Sequence, residues 1–90
     1  MKRSKEDVIM QRIRRTLVHI DRNGFSNAGI QRYGKLLLWS DHDLVVGCHA
    51  LFKRCSSCLV GKKVYVFLLK SRGYSVRDIA EIIIGSSDEL

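Results

Sequence analysis

The chain contains no proline, and its glycines separate segments whose apolar residues recur at helical spacing. A serine stands where four of these segments would begin as helices, and its hydroxyl can accept from the free backbone N–H groups of a first turn. This pattern predicts helices that start at Ser4, Ser26, Ser40 and Ser75. We therefore expect an all-α fold, a single basic domain over residues 1–90 with four or five short helices around an Ile/Leu/Val core.

The first predicted helix runs from Ser4 to about Arg22, and Asn23-Gly24 is expected to end it. Its apolar residues share one face, which makes the helix amphipathic. A basic stripe lies away from that face. Because arginine pairs with two phosphate oxygens at once, the stripe is a candidate nucleic-acid-binding surface. Its members are Arg12, Arg15, His19 and Arg22.

The second predicted helix extends from Ser26 through Trp39, although its glycines weaken it. Arg32, Lys35 and Trp39 share one side of it. Cations beside an aromatic ring that can stack on a base suit single-stranded nucleic acid. The alternative for Trp39 is a place in the core.

The third helix is expected to continue past Cys55 as far as Gly61. Residues 64–69 are six consecutive apolar residues, which form either a central helix or a buried strand. We favour a helix, because a lone strand leaves its backbone groups unpaired. Lys62 and Lys63 precede this segment and form another candidate cationic patch.

Ser75 and Asp78 have the spacing that begins a helix, and the last predicted helix follows them. Gly85 is expected to end this helix, and residues 85–90 are expected to form a frayed acidic tail.

The three cysteines raise the possibility of a zinc site, since Cys55 and Cys58 are spaced like zinc ligands. On a continuous helix, however, Cys48 and Cys55 are about 10 Å apart, too far to share one ion. We therefore expect reduced, structural cysteines and no metal or other cofactor, with a zinc-stabilised domain as a minor alternative. His42 and His49 are expected to be surface residues.

Positive charge is concentrated in the first 77 residues, which contain all sixteen lysines and arginines against five acidic residues, a net charge of +11. Residues 78–90 have a net charge of −4. The electrostatic field of so strong a positive charge attracts polyanions, and their binding then depends on salt concentration. The pattern favours a nucleic-acid partner.

No nucleophile–base pair, phosphate-binding glycine loop or cofactor motif is present, so we do not expect an enzyme. No apolar run approaches the roughly 20 residues that span a bilayer, and the basic N-terminus lacks the apolar segment of a signal peptide. An intracellular protein of cytoplasm or nucleus, without a membrane partner, is the expectation.

The stretch from Val66 to Ile83 has a Gly-aromatic-Ser turn at Gly73-Tyr74-Ser75, followed by the pair Ile79-Ala80. In these features residues 66–87 resemble the first two helices of helix-turn-helix DNA-binding modules, in which such an Ile-Ala pair packs against the preceding helix. The resemblance implies a helical pair joined by a tight turn. In those modules a recognition helix follows and enters the major groove. Here residues 85–90 are too short and too acidic for that role.

Two functional hypotheses remain. The first is a non-enzymatic nucleic-acid-binding accessory protein that prefers RNA or another single strand to duplex DNA. The second is a protein-interaction or homodimerising module that uses surplus apolar residues. Those residues are Val8, Val18, Phe25 and Val66.

Overall fold

The computed structural model describes residues 4–55 and 58–84, and in that part of the chain it contains helices and no strand. The predicted all-α fold is confirmed. In chain order the helices are α1 (Lys5–Asn23), α2 (Asn27–Tyr33), the 3-10 helix η1 (Gly34–Leu38), α3 (Asp41–Arg54), α4 (Leu59–Ser71) and α5 (Val76–Ile84).

Serine side chains begin four of these helices, as predicted. The hydroxyls of Ser4, Ser26 and Ser40 each accept a backbone N–H three residues ahead, at 3.1 Å. Ser75 and Asp78 bond reciprocally, each side chain to the other's backbone N–H, and so form a capping box before α5. The end of α1 is also as predicted, since Gly24 follows it with a positive φ of 67°.

The predicted end of the third helix is wrong. α3 ends at Arg54, and Cys55 has an extended backbone. Gly61 lies buried within α4, where an added Cβ would come within 2.9 Å of the Tyr33 hydroxyl and 3.0 Å of Leu51. Glycine at this position therefore permits close packing between helices and ends none.

The second predicted helix divides into two. The α-helix stops at Tyr33, and the chain continues as η1 until Trp39 turns to an extended conformation. Glycine is a poor α-helix former, and 3-10 turns are frequent at the ends of α-helices, so Gly34 is where the change occurs.

α4 is the central helix, and it contacts α1, α2, α3 and α5. Residues 64–69 are helical, which confirms the favoured prediction, and five of these six side chains are buried. Only Phe67 is exposed, by 39%. A helix that is apolar around most of its circumference must lie inside the molecule. Val66, expected to be surplus, is 3% exposed and belongs to the core.

The other helices surround α4 and supply the rest of the core. Leu44 and Cys48 of α3 and Ile79 and Ala80 of α5 are wholly buried, and Ile13 of α1 is 3% exposed. None of the helices within residues 4–55 and 58–84 combines the length and the apolar character needed to cross a membrane. The predicted stop at Gly85 and the predicted acidic tail lie outside the described residues.

Candidate nucleic-acid interface

The outer side of α1 is the most basic helical surface that the sequence predicts. Ile13 and Ile20 are buried on its inner side, so residues half a turn away project outward. Five exposed arginine and histidine side chains lie on that outer side, and we call these five the basic face of α1. They are Arg12, Arg14, Arg15, His19 and Arg22.

A shallow, open hollow follows the middle of this face, and its lining includes Arg14, Arg15, His19 and Arg22. Arg14 does not belong to the predicted stripe, because the positions three, seven and ten residues after Arg12 do not include it. The sequence pattern that predicts its position is the spacing to Val18 and Arg22. Arg14 precedes them by four and eight residues, so the three residues lie on adjoining turns.

The arginines of the basic face have no carboxylate partner in the described part of the chain. The ion pair there joins Arg72 and Asp41, far along the chain from α1. Unpaired exposed cations retain both their hydrogen-bond donors and their charge for an external anion. The face is therefore equipped to bind phosphate groups.

His19 is held in place by Asn23 at the end of α1. The Asn23 amide donates to the His19 backbone oxygen at 3.2 Å, and its Nδ2 lies 3.3 Å from His19 Nδ1. An amide nitrogen can only donate, so Nδ1 accepts and the proton of a neutral His19 is on Nε2. That N–H is then free to donate outward, at the same end of the helix as Arg22.

The basic face also contains apolar side chains. Val8 and Val18, which the sequence marks as surplus, are 37% and 52% exposed, and Val18 lines the hollow between arginines. Phe25 instead packs against the core, with its ring centroid 5.3 Å from that of Phe67 in an edge-to-face arrangement. The arginine stems and Val18 can contact a sugar or a base while the guanidinium groups bind phosphates.

Trp39 is placed differently from Arg32 and Lys35. Its ring is half-buried, with its centroid 6.5 Å from that of Tyr65. It lines a hollow that includes His42 and Asp43 at the start of α3, and neither cation belongs to that hollow. Both cations are exposed. Trp39 thus contributes to packing, and the two cations face solvent separately from it.

The remaining predicted cations are Arg32 on α2 and Lys62 and Lys63 on α4. Arg32 and Lys62 each lie over an aromatic ring. The Arg32 guanidinium lies 5.7 Å from the ring centroid of Tyr33, and Lys62 Nζ lies 5.1 Å from that of Phe52. Lys62 and Lys63 are half-buried near the start of α4. They form a second cationic surface on a different helix from the basic face of α1.

The cysteines occupy two environments. Cys48 is fully buried, and burial raises the pKa of its thiol to about 12, so it serves as a small core side chain as predicted. Cys55 and Cys58 are joined by a disulfide, with Cα atoms 5.8 Å apart. The expectation of reduced thiols is wrong for this pair, because α3 ends before Cys55 and leaves both residues in the connection to α4.

No group of three or more His, Cys, Asp or Glu residues that could hold a metal ion occurs within residues 4–55 and 58–84. His49 was expected on the surface but is half-buried, with Nδ1 2.9 Å from the carbonyl oxygen of Ile82. Because a carbonyl oxygen only accepts, Nδ1 donates, and His49 connects α3 to the last turn of α5. His42 is exposed, as expected.

Four of the nine predicted site residues therefore lie together on α1, and the others are distributed over α2, η1, α4 and the residue after η1. No protein-family model, curated protein or solved structure matches the chain. Function must be inferred from the chemistry of the chain's own residues.

Proposed function

We propose that this is a small, non-enzymatic nucleic-acid-binding protein that contacts phosphates through the basic face of α1. The observation that carries the proposal is four exposed arginines on one helix, without a carboxylate partner among the described residues. Phosphate contacts position a protein on nucleic acid without reading its sequence, so sequence preference is weak.

RNA or another single strand is the favoured ligand. The distance from Arg12 to Arg22 along α1 is about 15 Å at 1.5 Å per residue, which matches a few nucleotides. Unstacked bases can stack on guanidinium planes and on imidazole rings, and the hollow offers both, from Arg15 and His19.

Duplex DNA is the competing ligand, because α4 and α5 follow one another as a helix pair with Gly73 in the turn at a φ of 99°. The exposed side chains of α5, however, are Arg77, Asp78 and Glu81. Two carboxylates among three exposed residues repel phosphates. α5 is therefore poorly suited to enter a groove of DNA.

The test is equilibrium binding of labelled single-stranded RNA, single-stranded DNA and duplex DNA over a salt series. Four arginine–phosphate contacts predict a slope of about −3 for log affinity against log salt on a single strand. The proposal expects that slope and tighter binding of single strands. Affinity that does not change with salt, or no binding at low salt, would contradict it.

A further inference from the structure

An apolar groove lies between α4 and the pair formed by α2 and η1. Its volume is about 140 Å³, and its walls include Phe25, Ile30, Tyr33, Leu37 and Phe67. Three large apolar side chains along the groove are exposed to solvent: Ile30 by 56%, Leu37 by 64% and Phe67 by 39%. Exposed apolar side chains gathered along a groove indicate an interaction site.

The size and lining of the groove indicate what it can hold. Small-molecule sites usually have volumes of roughly 300–1,000 Å³, so this groove suits one or two side chains better than a cofactor. The Tyr33 hydroxyl is the polar group among its walls, and it packs toward the α4 backbone, 2.9 Å from where a Cβ on Gly61 would be. The size and the apolar lining of the groove therefore suit apolar side chains.

The segments that form the groove are basic. Residues 24–40 and 59–75 contain six lysines and arginines and no acidic residue. Lys63 and Lys70 precede and follow Phe67 by four and three residues, so they lie beside it on α4. The Arg32 guanidinium lies over the Tyr33 ring, and that of Arg72 donates to the Leu37 carbonyl oxygen at 3.1 Å. An apolar groove with a cationic rim complements an apolar segment with an acidic border.

We propose that this groove binds an acidic amphipathic helix of a partner protein. Apolar side chains one turn apart would enter the groove, while aspartates and glutamates beside them would pair with Lys63, Lys70 and Arg32. A second copy of this chain is disfavoured, because the same basic segments would then approach one another across the interface. The groove shares no lining residue with the hollow on α1, so this proposal is independent of nucleic-acid binding.

The test is selection from a displayed library of helical peptides that have fixed leucines one turn apart and variable flanking charges. The full chain is the bait. Selected peptides are expected to be enriched in aspartate and glutamate. Enrichment of basic peptides, or no enrichment, overturns the proposal.

Leu37 and Leu38 provide matched variants for the selected peptides. Leu37 lines the groove, whereas Leu38 is more exposed, at 90%, and does not line it. Leu37→Ser is expected to weaken peptide binding about tenfold, the scale of one buried leucine contact. Leu38→Ser is expected to change it by less than about twofold. Equal losses would show that the peptide binds exposed apolar surface in general and would overturn the proposal.

Charge and competing occupants are tested with the same chain. The double variant Lys63→Glu/Lys70→Glu is expected to bind the acidic peptides more weakly. The variant Lys53→Glu on α3 is expected to bind them as the wild type does. Loss of single-stranded RNA binding in Leu37→Ser would assign the groove to nucleic acid. A dimer in sedimentation that Leu37→Ser dissociates would assign it to a second copy. Either result overturns the proposal.

Discussion

The guanidinium of Arg72 lies 2.6 Å from the carboxylate of Asp41, and it also donates to the backbone oxygens of Leu37 and Trp39 at 3.1 and 2.8 Å. One side chain at the end of α4 thus connects η1 to the start of α3. Because Leu37 forms a wall of the apolar groove, the same connection fixes the position of that wall.

The ion pair of Arg72 with Asp41 should contribute less to the free energy of unfolding than the hydrogen bonds of Arg72 to the two carbonyl oxygens. The carboxylate of Asp41 is largely exposed, and exposed ion pairs contribute about 0–1 kcal/mol, so Asp41→Asn should have a small effect. Arg72→Gln also removes charged donors from two carbonyl oxygens and should cost about 2 kcal/mol. Urea unfolding followed by Trp39 fluorescence measures both. If both variants lose the same free energy of unfolding, the ion pair, and not the carbonyl contacts, fixes the connection between η1 and α3.

Gly47 and Gly34 should respond oppositely to alanine. A Cβ on Gly47 would lie 2.5 Å from the hydroxyl of Tyr65, a side chain only 7% exposed, whereas one on Gly34 meets nothing within 4 Å. Alanine gains about 1 kcal/mol in helix propensity, but overpacking costs about 1–3 kcal/mol. Gly47→Ala should therefore destabilise the fold and Gly34→Ala should stabilise it by about 0.5 kcal/mol. Thermal unfolding of both variants decides the matter, and a gain at Gly47 would refute the close contact.

The cysteines should alkylate in a pattern that reports the disulfide. Under non-reducing conditions the unfolded chain should react at Cys48 alone, and after reduction it should react at all three cysteines. In the folded, reduced protein Cys48 should react last, because its buried thiol remains protonated. Mass spectrometry counts the labels. Three labels without reductant would show that Cys55 and Cys58 are thiols, the form that a reducing compartment favours.

Burial of Cys48 should make stability fall at alkaline pH. Its folded pKa of about 12 exceeds the ordinary 9.0, so above pH 9 the unfolded chain loses a proton that the folded chain retains. This contribution is fully present below pH 9.0 and is lost as the pH rises towards 12. The stability gap between the wild type and Cys48→Ala should therefore narrow from neutral pH to about pH 10. Chemical denaturation at both pH values measures the gap, and a constant gap would contradict the buried thiol.

The helix starts could be predicted because their cause is local. A serine three residues before the N–H that it caps satisfies the same requirement wherever the helix lies in the fold, and Ser40 and Ser75 show this. The role of Gly61 could not be predicted. Glycine both ends helices and permits close contacts, and the choice depends on Tyr33 and Leu51, which only the tertiary fold brings to it.

The candidate site could be predicted in part for the same reason. The stripe on α1 follows from helical periodicity alone, so the exposure of Arg15 and Arg22 was foreseeable. The position of Trp39 depends on how the chain turns after η1, and the groove beside Phe67 requires two distant segments to meet. Neither can be deduced from spacing within one helix.

The central claim is that the basic face of α1, and not positive charge in general, binds nucleic acid. Its most direct test compares two triple variants of equal net charge in binding labelled single-stranded RNA at low salt. One variant replaces Arg12, Arg15 and Arg22 by alanine. The control variant replaces three exposed cations on α3 and α5 by alanine, namely Lys53, Arg54 and Arg77.

The α1 variant should lose more than about tenfold in affinity and reduce the salt slope by about 2, because three phosphate contacts disappear. The control variant should keep the slope and most of the affinity. Equal losses in the two variants, or none in the α1 variant, would contradict the claim.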